Sequence, residues 1–258
     1  MTLRGVCGRL SDRARVRLLQ AGSVLAVLAL WEGVARAGWV DPLFVPTPSA
    51  VARGFALVAG PAVDGLVDTL SKTAIAYVLS VLLGVGAALV IGSVPAVNAV
   101  LHPFVVALYG MPKILILPWI VLLLGFGTAP AVLYGTIHGF FPILILVIGA
   151  VRDVDRTLLT VARSLGARRA QIYLKVILPA IVPTVLASMR LGIVFCLLGV
   201  LVVEMFAGIR GMGHVMGSLA NGFRAPELFA ATGLVSAASI AIVLGLDALN
   251  DRLSRWRG

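Results

Sequence analysis

The sequence predicts an all-α, polytopic membrane protein with six transmembrane helices. Three observations carry that expectation. The first is composition: 60% of the 258 residues are hydrophobic and 12% are charged, with a mean hydropathy of +1.06. Soluble domains carry about 25% charged residues, and a water-soluble fold of this size has no interior large enough for so much apolar sequence. The second is a pair of long runs without Asp, Glu, Lys or Arg, 40 residues from Thr73 to Pro112 and 38 from Ile114 to Val151. The third is a one-sided distribution of basic residues, taken up below.

The elements follow in chain order. Residues 1–17 form a basic tail with Arg4, Arg9, Arg13, Arg15 and Arg17. The first span is 18–38, from Leu18 to about Arg36, with Glu32 inside it. A basic start, an uncharged stretch and Ala35-Arg36-Ala37 also resemble a signal peptide; the long basic region and Glu32 favour a retained span. Residues 66–250 form the main transmembrane domain. A span needs about 20 apolar residues, so each charge-free run has room for two spans with a tight turn between. The breakers "GSVPAVN" (92–98) and "GFGTAP" (125–130) mark the turns. Pro179 to about Met205 is a further span, interrupted by Arg190 and Glu204, and Leu228 to Leu246 is another. The count adopted is six, one fewer than these allotments sum to, with a loop at 152–179 between the fourth and fifth, and 251–258 is the C-terminal tail.

The charge distribution sets orientation. The N-terminal tail, the 152–179 loop (Arg152, Arg156, Arg163, Arg168, Arg169, Lys175) and the C-terminal tail (Arg252, Arg255, Arg257) hold 14 of the 21 Lys and Arg. Arg36, Arg53, Lys72, Arg210 and Arg224 fall on the other side. Basic loops stay in the cytoplasm, so both termini and the 152–179 loop are expected there. The same rule accounts for the net charge of +10 without nucleic acid. Cys7 lies in the tail and Cys196 in an apolar run, which suits neither a disulfide nor a metal site.

The 152–179 loop reads as a helix–Gly–helix element along the membrane surface. Asp155 or Asp153 can cap its start. Leu158, Val161 and Leu165 form an apolar stripe. Gly166 stands where a helix C-cap or tight bend belongs, and Pro179 marks a change of direction into the fifth span. Two readings stay open at this point: an amphipathic anchor on anionic headgroups, or a docking helix for a cytoplasmic partner.

The segment "TVARSLGARRAQIYLKVILPAIVP" resembles the cytoplasmic signature loop of bacterial ABC-importer permeases, which carries Glu-Ala-Ala, three residues, Gly, nine residues, then Ile-x-Leu-Pro. Gly166 and Val176-Ile177-Leu178-Pro179 keep that spacing, while Thr160-Val161-Ala162 replaces the first triplet and lacks its Glu. "VARSLGA" (161–167) resembles the nitrate, sulfonate and taurine branch. Other segments resemble the family in the same order: "LWEGVARAGWVDPLFVPTPSAV" (30–51), "YGMPKILILPWIVLLLGFG" (109–127, its proline-rich third span), "FFPILILVIGAVRDVD" (140–155) and "VVEMFAGIRGMGHVM" (202–216). Together they cover about residues 27 to 255.

The resemblance implies a type I ABC-importer permease fold in the bacterial inner membrane. It implies a homodimer of permeases, two cytoplasmic ABC ATPase subunits, an extracytoplasmic solute-binding protein and a small anionic solute such as a sulfonate or nitrate. The loop would be the coupling helix, with Ala162, Ser164, Leu165, Gly166, Ala167, Arg168 and Pro179 at the ATPase contact. No cofactor is expected in this chain, and ATP and Mg would belong to the partner. A phosphate loop needs Gly-x4-Gly-Lys-Ser/Thr, and none of Lys72, Lys113 and Lys175 has that context.

Ionisable residues inside spans are functional suspects. Lys113, beside the helix-breaking Pro112, could face the solute path or snorkel. Glu204 could line a gate or pair with Arg210, and Arg190 could reach it only if helix tilt allows. Glu32 and Asp247 lie nearer span ends, where hydration or a cap suffices. Met111 is a weaker path candidate, with packing as its alternative. "GIRGMG" (208–213) reads as a re-entrant turn rather than a phosphate loop. His102, His138 and His214 are too scattered for a metal site. The alternative function is an ATP-independent secondary transporter or channel, which would want an internal repeat or mid-membrane carboxylates; no Asp or Glu lies between Asp68 and Asp153. An intramembrane enzyme finds no His-Glu-x-x-His and no catalytic pair.

Overall fold

In the computed structural model, the backbone of residues 12–254 and the side chains of residues 15–248 are described. Arg4, Cys7 and Arg9, and Arg255 and Arg257, lie outside the described residues, as do the side chains of Arg13 and Arg252. The described residues are helical throughout, joined by short turns. Their helices are α1 (Asp12–Arg36), α2 (Pro48–Ser93), α3 (Pro95–Gly110), α4 (Leu117–Leu124), α5 (Thr128–Arg152), α6 (Arg156–Ser164), α7 (Arg169–Ile172), α8 (Leu178–Ala207), α9 (Met212–Asn221) and α10 (Ala225–Ser254). A 3-10 turn (Lys113–Ile116) precedes α4, and a π-helical turn (Tyr173–Ile177) joins α7 to α8. Five helices are long and apolar enough to cross a membrane. A sixth crossing is completed if the bent pair 95–110 and 113–124 counts as one span.

That bent pair corrects the reading of two spans in each charge-free run, which gives one crossing too many. Residues 95–110 and 113–124 meet at an angle of 88°. Neither half reaches the roughly 20 residues a crossing needs. Pro112 accounts for the break: proline donates no backbone hydrogen bond and disfavours a helical residue before it, and Met111 is extended, with φ −67° and ψ 133°. The helix α2 begins at Pro48, ahead of residues 66–250. Its 46 residues span about 69 Å at 1.5 Å each, more than twice the hydrocarbon thickness.

The chain divides into two compact units, residues 1–58 with 219–230, and residues 59–218 with 231–258. In the first, Glu32 accepts hydrogen bonds from the Ser49 backbone N–H (3.0 Å) and hydroxyl (2.8 Å) and pairs with Arg36 at 2.6 Å. It thus satisfies a donor in the first turn of α2. Trp31 meets Phe229 with ring centroids 5.8 Å apart. A Cβ on Gly54 would come within 2.9 Å of the Pro226 backbone, so α2 and α10 cross closely there.

The second unit is organised around α5 and α8. Tyr134, Ile143, Leu144, Val147 and Ile148 of α5 are buried, as are Ile181, Val200 and Val203 of α8. Small residues let the backbones approach: a Cβ on Gly139 would fall 2.2 Å from Cys196 Sγ and 2.8 Å from Ser80 Oγ. The Ser80 hydroxyl donates to the Thr136 carbonyl at 2.9 Å, tying α2 to the same seam. Near the other end, Arg190 of α8 forms an ion pair with Asp247 of α10. This corrects the expectation that Arg190 might reach Glu204 and that Asp247 is merely hydrated.

Candidate functional site

Two constellations stand out, one on the 152–179 loop and one buried around Glu204. The loop helix α6 starts at Asp155. The Thr157 N–H donates to Asp155 Oδ1 at 2.7 Å, an N-cap of the kind aspartate favours. That backbone donor holds the Asp155 carboxyl below its ordinary value. Asp153 instead ends α5, its N–H donating to the Gly149 carbonyl at 2.9 Å, so Asp155 is the cap.

The helix stops at Gly166. Its φ is +74°, a left-handed conformation glycine adopts without penalty. The Gly166 N–H donates to the Arg163 carbonyl (2.9 Å) and the Ala167 N–H to the Ala162 carbonyl (3.0 Å). These two bonds are the paired closure of a Schellman motif. Between cap and stop, Leu158, Val161 and Leu165 are 51%, 52% and 81% exposed. Leu159, on another face, packs against the buried cluster of Val147, Val151 and Val154. Ser164 and Arg168 are exposed, while Ala162 and Ala167 are half-buried. Arg168 donates its N–H to the Gln171 side chain at 2.8 Å, opening α7.

Pro179 does not turn the chain, which is a correction. Residues 169–207 run as one apolar helical stretch. Proline offers no N–H to the Lys175 carbonyl four residues back, and the ladder widens just before it, the Leu178 N–H reaching the Tyr173 carbonyl. Bulges of this type relieve such a missing bond and recur at functional positions.

Glu204 sits at the other end of α8, 0% exposed. Its carboxylate takes an ion pair from Lys72 Nζ at 2.9 Å, a hydrogen bond from the Thr69 hydroxyl at 2.6 Å and one from the Gly213 N–H at 3.0 Å. Lys72 also pairs with Asp68 at 2.5 Å and donates to the Arg210 carbonyl at 3.2 Å. Arg210 therefore contributes its backbone, and the partner expected for Glu204 is corrected to Lys72. The Met212 N–H donates to Thr69 Oγ1 at 2.7 Å. The carboxylate thus lies at the N-terminus of α9, where exposed N–H groups favour negative charge. The turn 208–213 closes over it: a Cβ on Gly211, at φ +107°, would fall 2.2 Å from Glu204 Cδ. This is why the "GIRGMG" segment needs glycine.

The path candidates are not brought together. Met111 ends α3, its N–H donating to the Ala107 carbonyl at 3.1 Å, and is 37% exposed. Lys113 lies just past that break. Its ammonium sits 5.0 Å from the Tyr109 ring centroid and 5.3 Å from that of Phe141, within cation–π range, and donates to the Tyr109 carbonyl at 3.1 Å. Glu204 belongs to the separate buried cluster. Sequence reasoning missed Asp68, Thr69 and Lys72 as its partners. The four-residue spacing of Asp68 and Lys72 signals a helical pair, but nothing local points to Glu204, 132 positions on.

The family model for the binding-protein-dependent transport system inner membrane component matches residues 80–257. The taurine transport system permease protein of Escherichia coli (strain K12) is 28% identical over 249 residues, covering 93% of this chain and 90% of that one. A putative aliphatic sulfonates transport permease of Bacillus subtilis (strain 168) is 25% identical, covering 90% and 84%. Among solved structures, the MetNI methionine ABC transporter in an inward-facing conformation superposes with a TM-score of 0.62 at 20% identity, covering 75% of this chain and 94% of that one.

Proposed function

The chain belongs to the family of binding-protein-dependent transport system inner membrane components, and from that premise we propose that it carries a small anion of the sulfonate or nitrate type and is driven by a separate ATPase through the 160–179 loop. It is a permease subunit of an ABC importer, a transport component rather than an enzyme. The observation that carries the coupling reading is the exposed stripe Leu158–Val161–Leu165. A helix that presents leucine and valine to solvent, outside the candidate spans, suits a groove on another protein.

In this reading two permease copies enclose the path, two cytoplasmic ABC ATPases bind ATP and Mg, and a solute-binding protein delivers the substrate on the far side. Both termini and the loop are cytoplasmic. ATP-driven closure of the ATPases moves the loop, and α8, continuous with its second half, carries that motion into the membrane. Rigid helices joined to a docking element are a recognised route for such transitions. The taurine and sulfonate permeases among the relatives support the substrate class. Lys113, at the break between α3 and α4 and without a carboxylate partner among the described residues, is the cation we assign to attract it, with Met111 beside it.

Co-purification tests the reading. The chain is expressed with its genomic neighbours, extracted in mild detergent and resolved by mass spectrometry. One ATPase copy per permease is expected, and Leu165→Asp is expected to remove most of it while leaving the permease in the membrane. Transport by the chain alone in liposomes, without any ATPase, would overturn it.

A further inference from the structure

On the same end of the second unit as α6, a groove of about 870 Å³ opens between the α2–α3 turn and the 169–177 helical segment. Its floor and walls include Val94, Pro95 and Ile177, and its polar side chains are Arg163, Arg169, Tyr173 and Ser93, the last donating its hydroxyl to the Leu89 carbonyl. No carboxylate lines it. Among the described residues, no acidic side chain pairs with either arginine. Both residues are exposed, and neither charge is neutralised by a described residue.

Helix geometry separates this groove from the docking stripe. At about 100° per residue, Leu158, Val161 and Leu165 cluster on one side of α6, and Arg163 points roughly 170° away from their mean direction. A partner seated on the stripe leaves Arg163 facing the bundle. The groove also lies where candidate spans meet. Ser93 ends the long span of α2 and Pro95 begins α3, while Ile177 leads into the apolar run of α8. Two guanidiniums lining one groove match phosphate oxygens, and apolar walls beside them match acyl chains. Basic pockets at the cytoplasmic ends of helices have this chemistry.

We propose that the Arg163–Arg169 groove binds the phosphate headgroup of an anionic phospholipid from the adjoining leaflet. The lipid fills the space between the α2–α3 turn and the start of the α8 helical run, and Tyr173 borders its glycerol region. The bound headgroup braces the inner face of α6 while the outer face stays free for a partner. The proposal rests on the function proposed above only in placing this end at the cytoplasmic leaflet. Its test needs no ATPase, so the two can fail separately.

The full-length permease is reconstituted in nanodiscs of phosphatidylcholine alone or with one quarter phosphatidylglycerol, released, and its retained lipids counted by native mass spectrometry. The wild type is expected to retain phosphatidylglycerol in preference to phosphatidylcholine. Arg163→Gln/Arg169→Gln should cut that retention by on the order of tenfold, given the attraction of each basic residue to an anionic surface. Arg152→Gln/Arg156→Gln, with the same charge loss elsewhere on the loop, should keep it. Arg163→Lys/Arg169→Lys should keep part of it, which separates lost charge from lost folding. Equal retention by the wild type and the Gln pair, or equal loss in the 152/156 pair, overturns the assignment. So does displacement of the lipid by millimolar inorganic phosphate at constant ionic strength, which would make the groove a site for a free anion.

Discussion

Lys72 and Glu204 form an ion pair of 2.9 Å inside the second unit, with 4% and 0% of their side chains exposed. Breaking a buried pair by removing one partner strands a charge and costs about 3–5 kcal/mol, whereas replacing both together costs far less. Lys72→Met is therefore expected to lower stability by an amount in that range. Glu204→Gln should cost less, since Asp68 still pairs with Lys72 at 2.5 Å and the amide still accepts from Thr69 and Gly213. The double variant should fall well short of the sum. Unfolding in mixed detergent micelles, run as a double-mutant cycle, checks this. Strict additivity would mean that the two residues do not share one network.

Gly166 offers a sharper test, because nothing crowds it. A Cβ there meets no atom within 4 Å, so the effect of a substitution comes from φ = +74° alone. A β-branched residue resists that region, at a cost on the order of 1–2 kcal/mol. Gly166→Val should insert normally yet lose its Schellman closure, reducing ATPase-coupled transport roughly tenfold. Gly166→Asn, which tolerates the left-handed region, should lie between. Transport assays normalised to membrane level read this out. Normal import by the valine variant would remove the coupling role from this bend.

How much of this was legible in the sequence depends on the range of each interaction. The stop at Gly166 and the stripe at Leu158, Val161 and Leu165 are local, set by spacings of three to seven residues, and they read directly, while the cap reads as either Asp153 or Asp155. The bent α3–α4 pair was half legible: Pro112 announced a break, but charge-free length alone cannot distinguish a turn between spans from a kink within one. Pro179 misled because a proline that ends a helix and one absorbed by a π-bulge look alike in sequence. The Lys72–Glu204 pair was not legible at all. Its partners are 132 positions apart, and Arg210, the cation nearer in sequence, contributes only its carbonyl there.

Asp155 makes the loop sensitive to acid. Its carboxylate accepts from Thr157 in the folded helix, and that bond lowers its pKa below the ordinary value. A depressed carboxyl stabilises the folded state fully above its unfolded pKa, and the contribution is lost as pH falls through the lower, folded value. The sign is therefore fixed: α6 should be equally protected from pH 8 down to about 5 and should loosen below about pH 4. Asp155→Asn keeps a good cap without a titrating group, so its protection should lack the acid limb. Asp155→Ala should be less protected at every pH. Amide exchange across residues 156–164, corrected for the intrinsic rate at each pH, measures all three. An acid limb of unchanged depth in Asp155→Asn would assign the titration to another carboxylate and leave the cap as geometry only.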